Sequence, residues 1–278
     1  MEDRDQMVER EKRQSPLSNR EIEEADEKSS TTAKVVHEAI RLDGSEELER
    51  PSSSVWWSGI AAGLTMGCSM IAQGIMEARL PDAPWRDLVA AFGYCLGFLF
   101  VTMGRQQLFT ETTLTVMLPV LHKSHGPSDL LRYWAIVFVG NIVATLLFAA
   151  AVTIPQLFPA DVANSFAKLG TDAAAPGFLP VLIKAVFAGW LIALMVWLLP
   201  AASSAKFIVI IAVTWLIAVA KFSHVIAGSA ETAFAAMHGD IGWGDYLIGF
   251  LIPALIGNSV GGVVFVALLN HAQVKAEI

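Results

Sequence analysis

His224 stands deep in an apolar run, beside Ser223 and four residues before Gly228. An ionisable side chain in hydrocarbon is costly and faces a bundle interior or a water-filled path. Its imidazole can give a hydrogen bond or a proton to a passing anion. Thr110 is the second candidate, within Arg105-Gln106-Gln107-Leu108-Phe109-Thr110-Glu111 in another apolar run. Its hydroxyl can donate to an anion or to His224. Arg105, Glu111, Lys221 and Glu231 are charges in the same two runs. Each costs about 3 kcal/mol at mid-membrane unless paired. Two of each sign read as internal pairs, Arg105 or Lys221 with Glu111 or Glu231; attraction of an anion is the alternative. His122 and His125 flank Lys123-Ser124 without a Cys or carboxylate cluster and read as solvated loop residues, not metal ligands. His-Glu-x-x-His, a phosphate-binding glycine loop and a nucleophile elbow are absent. The residues point to transport rather than to an enzyme, and call for no cofactor.

The elements holding these residues belong to a membrane protein. Hydrophobic residues are 54% and charged residues 16% of the 278, against about 25% charged in a soluble domain. Residues 1–50 hold 15 acidic and 9 basic side chains, more than half of all the charges. That division separates an acidic cytoplasmic tail, 1–50, from a channel domain, 51–278, and excludes a secreted enzyme, a nucleic-acid binder and a disulfide scaffold. Cys68 and Cys95 lie in apolar runs as buried thiols. Residues 1–30 are polar, read as disordered, and lack the apolar stretch of a signal peptide. Val35, Val36, Ala39, Ile40 and Leu42 suggest a short amphipathic helix over 32–42 at the membrane surface, with a solvated linker as the alternative. Ser45 is placed to cap a further turn toward Pro51.

Runs of about 20 apolar residues mark spanning helices. Six occur, near 55–77, 88–121, 130–154, 177–200, 205–237 and 243–270. The second and fifth are too long for one span and carry polar residues inside. Gly140-Asn141 and Gly257-Asn258 sit mid-span in the third and sixth. Interrupted segments at matching positions of two halves point to a transport site. Three spans per half make the repeat inverted. The predicted class is all-α: a six-span membrane bundle, an inverted repeat broken in spans two and five. Basic residues favour both termini in the cytoplasm. Lys34, Arg41, Arg50, Lys123, Arg132, Lys206 and Lys275 fall on that side, against Arg79, Arg86 and Lys168 on the other. Gly59/Gly63/Gly67, Gly93/Gly97 and Gly257/Gly261 predict close helix approach, within or between protomers.

Leu108-Phe109-Thr110, His224 and the two Gly-Asn pairs, in this order across residues 50–275, together resemble the formate/nitrite transporter family. The resemblance implies an aquaporin-like fold without Asn-Pro-Ala motifs, a homopentamer in membrane lipid, and one path per protomer for a small monovalent weak-acid anion. It implies that Thr110 and His224 form the central polar pair. Tyr94, Phe98 and Ile217 line an inner constriction, and Phe109 and Ile192 an outer one with Leu108 nearby. Lys168 stands in the outer vestibule. Arg105-Gln106-Gln107, Ser223, Gly228 and Ala188-Gly189 depart from the usual family residues. They resemble a poorly characterised inner-membrane branch, which implies a bacterial inner (cytoplasmic) membrane. Permeation is then proton-coupled through His224. A non-conducting membrane protein that regulates or assembles with a partner is the alternative, and an aquaporin-like channel for neutral solutes a third reading.

Overall fold

The computed structural model describes Ser18 and residues 31–277; the expected disorder of residues 1–30 lies outside them, Ser18 apart. The described residues are helical, without strands. The helices are α1 (Ala33–Glu49), α2 (Ser52–Arg79), α3 (Arg86–Met103), α4 (Phe109–Thr115), α5 (Met117–Leu121) and α6 (Pro127–Val152). After them come α7 (Ala160–Ala174), α8 (Phe178–Leu198), α9 (Lys206–Val219) and α10 (Val225–His238). A last continuous helical run from Asp245 contains α11 (Ile252–Gly262) between π-helical stretches Asp245–Leu251 and Val263–Leu268, and ends with α12 (Leu269–Glu277). Among the described residues, five helices are long and apolar enough to cross a membrane: α2, α3, α6, α8 and the last run. The fifth apolar run of the sequence is instead two helices, α9 and α10, with a break between them; the second is α3, a break, and then α4 and α5.

Small residues set the closest helix contacts. A Cβ on Gly63 would collide with the backbone of Asn141 on α6, and one on Gly257 with Leu182 and Ala185 on α8. A Cβ on Gly93 or Gly97 would collide with α2. The glycine faces therefore pack helices within the protomer. Ser69 on α2 ties α3 in place: its hydroxyl donates to Tyr94 O at 2.6 Å and accepts from Gly97 N at 3.2 Å.

The amphipathic helix is longer than expected and docks on protein. Thr32 is its N-cap, accepting from Val35 N, and Ser45 lies inside the helix instead of starting a new turn. Val36 and Ile40 are buried with Leu114, Leu118 and Val266, so the bundle covers the stripe that a surface reading gives to lipid. Glu47 accepts from Arg50 at 2.7 Å and from Gln107 Nε2 at 2.9 Å, and the Tyr133 hydroxyl lies 2.8 Å away. These bonds bind α1 to the break after α3.

His37 on α1 meets the His271 ring at 5.3 Å and, at 6.0 Å, the ring of His122, which is an exposed turn residue as expected. Burial, then the neighbouring His271 and His122, holds the His37 imidazole below the ordinary histidine value; Glu38 opposes this and Arg41 adds to it. Docked α1 thus favours neutral His37. Released α1 binds more protons, so docking is complete above about pH 6.5 and weakens as pH falls below it. Hydrogen exchange should show α1 amides losing protection between about pH 7 and about pH 5.5, after correction for intrinsic rates. His37→Phe should remove the change.

Candidate functional site

The two breaks are built alike. After α3, Leu108 is extended (φ −97°, ψ 124°) and starts α4; after α9, His224 has the same conformation (φ −98°, ψ 122°) and starts α10. Non-helical backbone inside an apolar bundle needs partners for its polar groups, and one asparagine serves each break. Asn141 Oδ1 accepts from Phe109 N at 2.9 Å, and its Nδ2 donates to Gly59 O at 2.8 Å and Gln107 O at 2.9 Å. Asn258 Oδ1 accepts from Val225 N at 2.8 Å, and its Nδ2 donates to Ala185 O at 2.7 Å and Ser223 O at 2.9 Å. Both asparagines are fully buried. This correspondence is much closer than the repeated Gly-Asn dipeptide suggests.

The breaks bring the central pair together. Thr110 Oγ1 lies 2.7 Å from His224 Nε2, and both residues are buried. His224 Nδ1 accepts from Ala227 N at 3.2 Å, capping α10. A nitrogen that accepts carries no proton, so the neutral ring holds its proton on Nε2 and donates to Thr110. Thr110's own hydroxyl hydrogen is then not engaged by the ring. The Phe98 ring stands edge-on to His224 at 4.8 Å and meets Tyr94 at 5.1 Å.

A cavity of about 290 Å³ reaches His224 from the α7 end, where Lys168, Lys184 and Lys221 stand among its walls with Glu77 and Glu231. Tyr94 and Ile217 border this cavity too. They therefore sit on the same side of the central pair as Lys168, not on the opposite side as the resemblance implies. A second cavity, about 390 Å³, lies at the other end of α3, between α1 and the break, with Arg105, Glu111 and Lys206 in its walls. Leu108 and Ile192 are buried between helices. Phe109 packs on Trp134 and Phe138 of α6, at 6.0 and 5.2 Å.

The expected charge pairs do not form. Glu111 accepts from Thr102 Oγ1 at 2.6 Å, and Glu231 has no cation within salt-bridge reach among the described residues. Arg105 and Lys221 are exposed and likewise unpaired among the described residues. The described residues hold no group of three metal-ligating side chains with metal-site geometry. Sequence reasoning passed over α7, although Val162, Phe166, Gly170 and Ala174 lie on its buried face at helical spacing.

The sequence profile described as formate/nitrite transporter matches residues 34–272. The chain is 40% identical over 261 residues to inner membrane protein YfdC of Escherichia coli (strain K12), covering 93% of this chain and 84% of that one. It is 27% identical to a probable formate transporter of Methanothermobacter thermautotrophicus, over 72% of this chain and 79% of that one. Two solved structures share the fold. One is described as a pentameric formate channel with formate bound (TM-score 0.70, 20% identity, 80% of this chain and 97% of that one). The other is described as an FNT family ion channel (TM-score 0.76, 19% identity, 86% and 98%).

Proposed function

This chain belongs to the formate/nitrite transporter family, and on that premise we propose that it conducts small monovalent weak-acid anions, such as formate or nitrite, together with a proton. The observation that carries the reading is the contact of Thr110 with His224, at the meeting of two helix breaks and beneath an open cavity. A bare anion loses its hydration at such a constriction, at a cost far larger than a neutral molecule's. The free Thr110 hydroxyl and the His224 Nε2–H offer hydrogen bonds as the anion reaches the apolar ring. His224 first takes a proton from water in the cavity and then hands one to the anion, returning to the neutral imidazole, so the species crosses as the neutral acid. Each anion therefore carries one proton, drawn from the cavity.

The proposed body has six spans in an inverted repeat, with α3–α5 as broken span two and α9–α10 as broken span five. The matched Asn141 and Asn258 bonds support this. We assign both termini to the cytoplasm on the distribution of basic residues, and the protein to a bacterial inner membrane after its relative's description. We assign a homopentamer embedded in lipid, a reading that the likeness to the pentameric channel supports. Exposed apolar side chains such as Leu179, Leu247 and Ile248 are available for protomer or lipid contact.

Thr110 gives a test separable from folding. Thr110→Ser, which keeps the hydroxyl, should hold formate flux in proteoliposomes within about threefold of wild type. Thr110→Val, isosteric but without the hydroxyl, should lower it about tenfold or more. Equal flux in the two variants would remove Thr110 from the path.

A further inference from the structure

The two helix breaks share one more feature that the central pair does not use. Arg105 has φ 52° and Lys221 has φ 51°, both in the left-handed region. Each closes the end of its helix in the same way. Arg105 N donates to Thr102 O at 3.2 Å and Gln106 N to Val101 O at 3.0 Å. Lys221 N donates to Ala218 O and Phe222 N to Ile217 O, both at 3.0 Å. Glycine fills this position of a helix end without strain, whereas a side chain there is unfavourable. The chain nevertheless places a long cation at both. Arg105 precedes Leu108 by three residues and Lys221 precedes His224 by three, so the two cations hold equivalent places in the two halves.

They open onto different cavities. Lys221 lines the cavity at the α7 end, and Arg105 lines the one beneath α1. Neither has an ion-pair partner among the described residues. Among the carboxylates in these walls, Glu111 bonds Thr102, Glu47 bonds Arg50 and Gln107, and Glu77 bonds Gln73; Asp43, Asp87, Asp172 and Glu231 line the cavities too, and none of them forms an ion pair with Arg105 or Lys221. Strained backbone kept at a functional place is a recurrent signature of use. We infer that Arg105 and Lys221 are paired collecting cations, one in each vestibule, that draw the anion to its own end of the path and set its apparent affinity there. This rests on the anion-channel reading above.

The test uses Arg105→Gly and Lys221→Gly in the full chain. Glycine relieves the left-handed backbone, so both variants should assemble and melt at or above the wild-type temperature. Formate flux is measured in spheroplasts and in inverted membrane vesicles, which present opposite ends to the added anion. Each variant should raise the formate KM about threefold to tenfold at low salt from its own end only, leaving maximal flux within about twofold. The effect should shrink at about 0.5 M salt, where charges a few ångströms apart are screened. Arg105→Lys and Lys221→Arg should restore the wild-type KM. Unchanged KM in stable glycine variants, with wild type conducting, would overturn the inference and leave the channel reading standing. KM raised equally from both ends would overturn the assignment of one cation to each vestibule. A wild type that passes no anion would remove the channel reading and the inference together.

Discussion

His224→Ala should lower weak-acid flux by about 100-fold, the scale of losing a positioned proton donor. His224 is the group the geometry serves most: Ala227 N occupies its Nδ1, Thr110 Oγ1 lies against its Nε2, and Phe98 closes its flank. Alanine removes the Nε2–H and leaves the Thr110 hydroxyl without its fixed partner. It also removes the α10 cap, worth about 1 kcal/mol, which leaves the oligomer assembled by size-exclusion chromatography. His224→Gln separates hydrogen bonding from proton transfer. An amide can donate to Thr110 but cannot cycle a proton, so residual flux should be larger than in the alanine variant while its rise toward acid pH is lost. An assembled alanine variant with wild-type flux and pH profile would remove His224 from the mechanism.

The second large effect is on stability. Asn141→Leu or Asn258→Leu keeps the side-chain volume and removes three buried hydrogen bonds at once. Phe109 N with the Gly59 and Gln107 carbonyls loses its partner in the first case; Val225 N with the Ala185 and Ser223 carbonyls does so in the second. Unpaired buried groups cost about 1–3 kcal/mol each, so the three left in each variant should cost about 3–9 kcal/mol. For a chain of this size that lowers the melting temperature by about 10 °C or more. The aspartate variants keep the accepting oxygen and lose both donors, and should fall as far or further because a buried charge is added. A leucine variant melting within about 2 °C of wild type would mean that the asparagines do not hold the breaks.

His224 and Thr110 were legible because polar groups in an apolar run are expensive and hence conspicuous. The Gly-Asn repeats were legible for the same reason, although not the bonds they make. Other features depend on directions that no one-dimensional pattern carries. The stripe of Val36 and Ile40 announces an amphipathic helix, but not that Leu114 and Leu118, rather than lipid, cover it. Opposite charges in two runs suggest pairs, yet α3 and α9 end by turning Arg105 and Lys221 into separate cavities. Tyr94 lies early on α3, which starts at the Lys168 cavity, and Ile217 late on α9, which runs the opposite way and ends there. Helix α7 was missed because its run is too polar to register as a span, although its buried face repeats at helical spacing.

The central claim is weak-acid conduction with a proton. It is tested most directly by reconstituting the wild-type oligomer in proteoliposomes with an internal pH dye, then following formate and nitrite uptake across a pH series. Uptake should rise as external pH falls, with one proton delivered inside for each anion. Contradiction would be an assembled oligomer that passes neither anion, or one that passes them with no internal acidification.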